Sequence, residues 1–417
     1  MQSQNKNSHR HVCAVAAICL LSGLPPAAPA LDLGYGDWQL HGFLSQGYTY
    51  TSGNDFFGNS QGAGSLDFTE LGVNVLGHPW PNLLLAAQGL YRNAAGSDQE
   101  DFRLDYANVD YRLPLGGASH IGVRAGRVKN PFGLYNEGRD AVWNRPGVLL
   151  PTAIYFDALA LRQPEISSDG GLLYGRHAFG DHALSAEFLV AEPLDNTGGA
   201  TEFLTGIPHA PGELGGRPLF IGRAAYEWKE GRLRLVFTVV DLDRDFEFSS
   251  PFVPPGNVTA FFPLGSVQVN LEDWTFTGEY GHINIERSGL FPDSAPRVLR
   301  DNTSEAFYVQ AQYRFAPRWS ALLRYDAFFA NIDDRSGRET AAALTAFTGV
   351  PQPRHRFFQK DITFGLRWEF AQNWLIAAEY HNIDGTGALS AVDNPELNLG
   401  GGDPHWDLFA LMLSFRF

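Results

Sequence analysis

Residues 319–327 read Trp319-Ser320-Ala321-Leu322-Leu323-Arg324-Tyr325-Asp326-Ala327. The odd positions carry Trp319, Ala321, Leu323, Tyr325 and Ala327, and the even ones carry Ser320, Leu322, Arg324 and Asp326. A period of two is that of an extended strand, whose successive side chains point to opposite faces. One face is aromatic and aliphatic, and the other holds an arginine and an aspartate. An arginine facing lipid at mid-bilayer costs about 2–4 kcal/mol. A strand of this kind can therefore cross a membrane only with Arg324 turned to an interior. Two other segments repeat the pattern. Phe307, Val309, Ala311, Tyr313 and Phe315 alternate with Tyr308, Gln310, Gln312 and Arg314, and Ile362, Phe364, Leu366, Trp368 and Phe370 alternate with Thr363, Gly365, Arg367 and Glu369.

Outward from these, about sixteen alternating segments can be traced, at 38–50, 66–77, 82–93, 102–113, 119–128, 168–179, 182–192, 218–228, 232–243, 262–272, 274–286, 304–315, 318–330, 359–370, 373–383 and 405–417. Short connections fall at 77–82, 114–118, 180–181, 229–231, 272–273, 316–317 and 371–372. Long ones fall between them at 51–65, 94–101, 129–167, 193–217, 244–261, 287–303, 331–358 and 384–404. Strict alternation of short and long is the signature of an all-β, transmembrane, antiparallel up-and-down barrel, with its short turns in the periplasm. Trp38, Trp80, Trp228, Trp274, Trp319, Trp368 and Trp374 all fall at the short-turn ends or at the N-terminal end, as expected of a side chain that prefers the membrane–water interface. Core tryptophans of a soluble sandwich would have no reason to collect at one end.

The flanks agree. Residues 1–30 read as a secretory signal peptide: Lys6, His9, Arg10 and His11 begin it, Val12–Leu21 is its short apolar run, and Ala28-Pro29-Ala30 offers a cleavage site. The barrel domain would then occupy 31–417, beginning at Leu31. Both cysteines, Cys13 and Cys19, lie in the leader, which excludes disulfides and thiolate metal sites from the rest. The formal charge of −15 argues against a nucleic-acid partner. Aromatics at 13% and hydrophobics at 44% argue against a disordered chain. No apolar run reaches the roughly 18 residues of a transmembrane helix. The final segment ends Phe409, Leu411, Leu413, Phe415, Phe417 on one face. An ending on phenylalanine resembles the signal by which bacterial outer-membrane proteins engage the barrel assembly machinery.

A barrel of this size leaves an aqueous channel unless something fills it. Strands begin near residue 38, which leaves no room for an N-terminal plug domain. The third long connection, 129–167, is the candidate filler. It is the longest, and its Trp143, Leu149, Leu150, Ile154, Tyr155, Phe156 and Leu159 need cover that a solvated loop would not give. The expectation is a loop folded into the lumen as a constriction.

Gly126-Arg127-Val128-Lys129-Asn130-Pro131-Phe132-Gly133-Leu134, preceded by Leu104-Asp105-Tyr106-Ala107-Asn108-Val109-Asp110-Tyr111, resembles the approach to the third loop in the phosphate-selective porin O/P family. That resemblance implies a constricting third loop, a homotrimer, and a passive channel for small hydrophilic solutes, anions among them. It also implies a basic pore, and here the sequence departs. Lys129, Arg139, Arg145 and Arg162 share the loop with Glu137, Asp140, Asp157 and Glu165. On the inward positions Arg92, Arg112, Arg124, Arg223, Arg234, Arg324 and Arg367 are mixed with Glu70, Asp110, Glu187, Glu227, Glu279, Asp326 and Glu379. Rings of one sign select ions; mixed walls suit general polar solutes. A channel specific for a phosphate-like anion, a sugar or an aromatic acid is the alternative. A barrel enzyme or surface-binding protein is the reading from another class, with His355 or His381 beside carboxylates as its candidates. No metal-ligand spacing is evident, but Asp241, Asp243, Asp245 and Glu247 would share one face of an extended strand. They are a candidate Ca²⁺ or Mg²⁺ site that could bridge lipopolysaccharide phosphates.

Overall fold

The computed structural model describes residues 31–32, 37–98, 101–159, 161–195, 198–207, 211–249 and 255–417. The leader expected at 1–30 lies outside the described residues.

Sixteen antiparallel strands make the barrel: β1 (Gln39–Thr51), β2 (Phe68–Trp80), β3 (Leu83–Ala94), β4 (Asp101–Gly116), β5 (Ser119–Lys129), β6 (Ser167–Phe179), β7 (His182–Pro193), β8 (Leu219–Trp228), β9 (Leu233–Phe248), β10 (Gly256–Asn270), β11 (Trp274–Ser288), β12 (Asp301–Ala316), β13 (Trp319–Phe329), β14 (Phe358–Ala371), β15 (Trp374–Gly385) and β16 (His405–Arg416). Each pairs with the next in the chain, and β16 pairs with β1 in a register that sets Phe409 opposite Tyr50 and Phe415 opposite Leu44. Gly42 and Phe417 complete this seam by exchanging both backbone hydrogen bonds, at 3.1 and 2.9 Å. Two short strands lie beside the barrel strands: Leu31–Asp32 pairs with β1, and Gly212–Gly216 pairs with the end of β9.

Burial is inverted relative to a water-soluble sheet. Val309, Phe364 and Leu323 are 57%, 55% and 51% exposed, while Glu70 and Arg92 are 0% exposed and Arg324 is 1% exposed. An exposed apolar face and a buried charged one fit a sheet whose outside meets hydrocarbon. The tryptophans form the expected girdle at the short-turn end. Trp274 stacks on Tyr313 with ring centroids 4.4 Å apart, Trp319 on Trp368 at 5.0 Å, and Trp374 lies 4.8 Å from Phe415.

One connection differs from expectation. The loop expected at 244–261 is mostly sheet, because β9 runs to Phe248 and β10 starts at Gly256, with Arg244 opposite Val258 and Phe246 opposite Gly256. The alternation of Arg244, Phe246 and Phe248 with acidic residues was already strand-like. It carries the hairpin beyond the apolar band.

The inversion predicts that Leu323→Arg, an outward substitution, destabilises the barrel by about 2–4 kcal/mol. Reversible denaturant unfolding from lipid vesicles measures this. An unchanged stability would mean that Leu323 does not meet lipid.

Candidate functional site

The inner face has two unlike halves. On β6 to β11 it is apolar: Leu172, Leu189, Ile221, Leu242, Phe262 and Ile283 are buried in one cluster. On the other strands the buried charged and polar residues Glu70, Arg92, Asp105, Gln310, Arg324, Asp361 and Glu379 share the inner face with a second apolar patch, Leu375, Ala377, Leu408 and Met412 of β15 and β16. A sign of this apolar stretch is present in the residues themselves: Leu219-Phe220-Ile221 and Phe261-Phe262-Pro263-Leu264 are apolar on both faces, so period two fades there.

The segment between β5 and β6 begins at the Gly126 motif. Gly126 has φ +121°, and a Cβ there would stand 2.4 Å from the carbonyl oxygen of Ala107 on β4, so only glycine fits. The segment is tied at its base. Asn130 Nδ2 donates to the carbonyls of Pro164 and Glu165 at 3.0 and 2.9 Å, and Asn136 Nδ2 to those of Asn130 and Glu165 at 3.1 and 2.8 Å. Its apolar residues divide between two clusters. Phe132, Leu150, Ile154, Tyr155, Phe156 and Leu161 join the apolar half of the wall, and Val142, Val148 and Leu149 join Phe56, Phe57, Leu375 and Ala377. Trp143 and Leu159 are only partly covered.

Polar contacts reach buried-face residues of most strands. Tyr155 donates its hydroxyl to Glu279 of β11 at 2.7 Å, and Tyr308 of β12 donates to the same carboxylate at 2.8 Å. Glu379 of β15 accepts from the backbone N–H of Leu149 at 2.9 Å, and Arg324 of β13 donates to the Leu149 carbonyl at 3.1 Å. Gln312 of β12 donates to the Pro146 carbonyl at 3.3 Å, and Arg367 of β14 to that of Arg145.

Nine of the charged residues singled out in the sequence meet in one ionic network, with Asp98, Arg103 and Asp105. Glu70 binds Arg145 at 2.7 Å and Arg92 at 3.2 Å. Asp98 binds Arg92 at 2.8 Å and Arg103 at 2.7 Å. Lys129 bridges Asp105 and Asp140; Arg162 bridges Asp140 at 2.6 Å and Asp157 at 3.1 Å; Arg139 bridges Asp157 at 2.8 Å and Glu165 at 2.6 Å. The two signs are equal in number. Burial pushes the Asp157 carboxyl up, but the guanidiniums of Arg139 and Arg162 outweigh it and hold Asp157 well below the usual carboxylate range. For Glu165 burial wins over Arg139, and its carboxyl rises to about 7.

Other predicted residues stand apart. Glu137 pairs with Arg223, which also holds Glu187. Arg124 binds Asp110 at 2.8 Å, and Arg112 approaches the Tyr174 hydroxyl at 3.4 Å. These two arginines remain partly or fully exposed. The acidic stripe is separate from this network. Asp241, Asp243, Asp245 and Glu247 lie on the more exposed face of β9, and Arg217 lies 3.7 Å from Asp241 and 3.2 Å from Asp243. Asn257 Nδ2 donates to Asp243 and Asp245 at 2.9 and 3.2 Å. Carboxylates on alternate residues of a strand stand roughly 6.8 Å apart, and no group of three or more His, Cys, Asp or Glu among the described residues is set to hold a metal ion.

Two features bear on catalysis. His381 is fully buried, and its Nδ1 meets both Asp361 at 2.7 Å and the Thr363 hydroxyl at 3.1 Å. A catalytic triad uses opposite ring nitrogens for nucleophile and carboxylate; here one nitrogen faces both. Gly58-Asn59-Ser60-Gln61-Gly62 matches the spacing of a nucleophile elbow, a match the sequence reasoning passed over. Its Ser60 is 0% exposed, and its hydroxyl is engaged by Thr51 at 2.7 Å and the Phe56 N–H at 2.9 Å.

The 130–166 segment contributes to two cavities. One, of about 510 Å³, is mostly apolar and includes Phe132, Phe156, Leu219, Leu242, Phe262 and Ile283. The other, of about 410 Å³, is polar. It joins Tyr135, Asn144 and Arg145 to Asn270, Arg314 and Arg367 near the short-turn end.

No family model matches the chain, and no curated protein matches it. Solved structures do. The outer membrane channel DcaP of Acinetobacter baumannii aligns at 12% identity over 94% of this chain and 100% of its own, with a TM-score of 0.56. Outer-membrane expressed OmpT of Vibrio cholerae aligns at 11% identity over 93% and 100%, with a TM-score of 0.55. An anion-selective porin from Comamonas acidovorans aligns at 11% identity over 91% and 99%, with a TM-score of 0.51. Identities this low speak to fold alone, and the fold is that of outer-membrane porins.

The network predicts that Glu70→Gln, which strips Arg145 and Arg92 of their shared carboxylate, costs about 3–5 kcal/mol. Hydrogen exchange should quicken in residues 139–162 and change little in β12 to β14. Unchanged protection of 139–162 would mean that Glu70 does not hold the segment.

Proposed function

We propose that this protein is an integral porin of the bacterial outer membrane, a passive channel for small hydrophilic solutes, with the 130–166 segment inside the barrel as its constriction. The observation that carries this reading is the set of contacts from that segment to buried-face residues on strands around the barrel, from Glu70 of β2 through Glu279 of β11 to Glu379 of β15. A segment capping the outside would meet strand ends, whereas these partners lie within the strands. The two cavities that share the segment, one apolar and one polar near the short turns, fit a partition between an outer and an inner vestibule.

Phosphate selectivity finds little support in this arrangement. Lys129, Arg139, Arg145 and Arg162 are each bound to carboxylates, so they offer a passing anion little free charge. Arg112 and Arg124 keep more exposure and are the better candidates for meeting solute. The apolar half of the interior favours a second reading, a channel specific for a partly apolar solute. An enzyme is disfavoured by the geometry at His381 and Ser60. A homotrimer inserted by the barrel assembly machinery among lipopolysaccharide completes the proposal, in line with the trimer form of Vibrio cholerae OmpT, which aligns at a TM-score of 0.50.

Single-channel recording in planar bilayers tests it. Removing residues 141–159 should raise conductance several-fold over the intact protein, since the pore area is then set by the wall. Equal conductance would put the segment outside the pathway, and no conductance from either form would end the channel reading.

A further inference from the structure

The 510 Å³ cavity has an apolar wall in a position where a porin interior is normally polar. Phe156 of the third loop and Phe203 of the 199–205 helix meet beside it, with ring centroids 5.9 Å apart, and Leu242, Phe262 and Ile283 line it from the strands. Its volume is that of a small-molecule pocket.

Three side-chain oxygens on its lining residues have no donor among the described residues: Asn130 Oδ1, Glu165 Oε1 and Asp195 Oδ1. Each residue's other polar atom is committed. Asn130 Nδ2 donates to two carbonyls, which also fixes which way the amide points. The second oxygen of Glu165 accepts from Arg139 at 2.6 Å. The second oxygen of Asp195 accepts from the backbone N–H of Thr201 at 3.0 Å and from its hydroxyl at 2.9 Å. Arg244 is the lining cation among the described residues. Glu192 grips it through both oxygens, and the carbonyls of Leu214 and Arg217 take further donors, which leaves only its Nε. The spare groups are therefore mainly acceptors: Asp195 offers a carboxylate oxygen, and Glu165, whose carboxyl rises to about 7, offers one when ionised. Buried acceptors without donors are costly, and a cationic donor satisfies them best.

We propose that this cavity binds a small organic amine: a compact apolar body, such as a fused aromatic ring, carrying a protonated amino group that donates to these oxygens. The proposal rests on the channel reading for the ligand's route but not for its binding.

The test is equilibrium binding of 1-naphthylmethylamine, 1-naphthylmethanol and 1-naphthoate to the full barrel in lipid nanodiscs, with empty nanodiscs as the blank. The three share a ring and differ in charge. The amine should bind about tenfold or more tightly than the alcohol or the carboxylate. Asp195→Asn should remove most of that preference and leave the alcohol unchanged, because the asparagine still has an oxygen to accept from Thr201. Ala260→Phe, which fills the cavity from β10, should abolish binding of all three. Equal affinities, tighter binding of naphthoate, or amine binding that survives Ala260→Phe would overturn the proposal. Conductance of the same preparation separates the two claims. Amine preference without conductance removes the channel and keeps the site; conductance without amine preference does the reverse.

Discussion

Hydrocarbon offers no hydrogen bonds, so every backbone N–H and C=O that crosses it must find a partner within the protein. For strands this means closure, and the β16–β1 seam, with Gly42 and Phe417 locked to each other, supplies the last pairings. Closure creates an inside. Alternation then sends every second side chain there, and lipid outside dictates which half of the residues goes. Glu70, Arg324 and Glu379 are buried because the other face of their strands turns Val73, Leu323 and Tyr380 toward hydrocarbon.

Charges turned inward raise a second requirement. A buried charge without a partner is expensive, and desolvation is repaid only where geometry and further hydrogen bonds are good. Wall residues meet part of this need across neighbouring strands, as Arg92 does with Glu70 and Arg124 with Asp110. The third loop supplies further partners. Its Arg145 reaches Glu70, its Asp157 takes Arg139 and Arg162, its backbone N–H at Leu149 meets Glu379, and Arg92 bonds Glu70 and Asp98. The balance of signs that argued against a basic pore is what the proposed inward position of the loop requires. On the other side the same loop presents Phe132, Ile154 and Phe156 to an apolar wall. On both sides the segment meets apolar and charged groups together, Leu375 and Ala377 beside Glu379 on one and Phe262 beside Glu279 on the other.

The strands were legible because lipid enforces period two. The segment expected at 359–370 is β14, Phe358–Ala371, and the third loop's bounds are those of β5 and β6, ending at Lys129 and starting at Ser167. The expectation lost accuracy where the period fails. At Phe261-Phe262-Pro263-Leu264 both faces are apolar, and the start of β10 at Gly256 was missed. The charged loop residues were also legible as a mixed set. Their pairing was not, because it depends on which wall carboxylate each arginine reaches across the fold, and sequence spacing says nothing of Arg145 meeting Glu70. The acidic stripe illustrates the converse. Period two put its carboxylates on one face, but the cations beside them come from Arg217, outside the strand.

The central claim is that the third loop lies against the inner wall, and cross-linking reaches it most directly. Beyond Cys19 the chain has no further cysteine, so a pair can be introduced cleanly. Pro146→Cys with Gln312→Cys joins a loop residue to a β12 residue whose side chain donates to its carbonyl at 3.3 Å. The account predicts rapid disulfide formation under mild oxidation in the native membrane, reversed by reductant, and none when Pro146→Cys is combined with the outward Leu323→Cys. Failure of the Pro146–Gln312 pair to close in a barrel that is otherwise folded would contradict it.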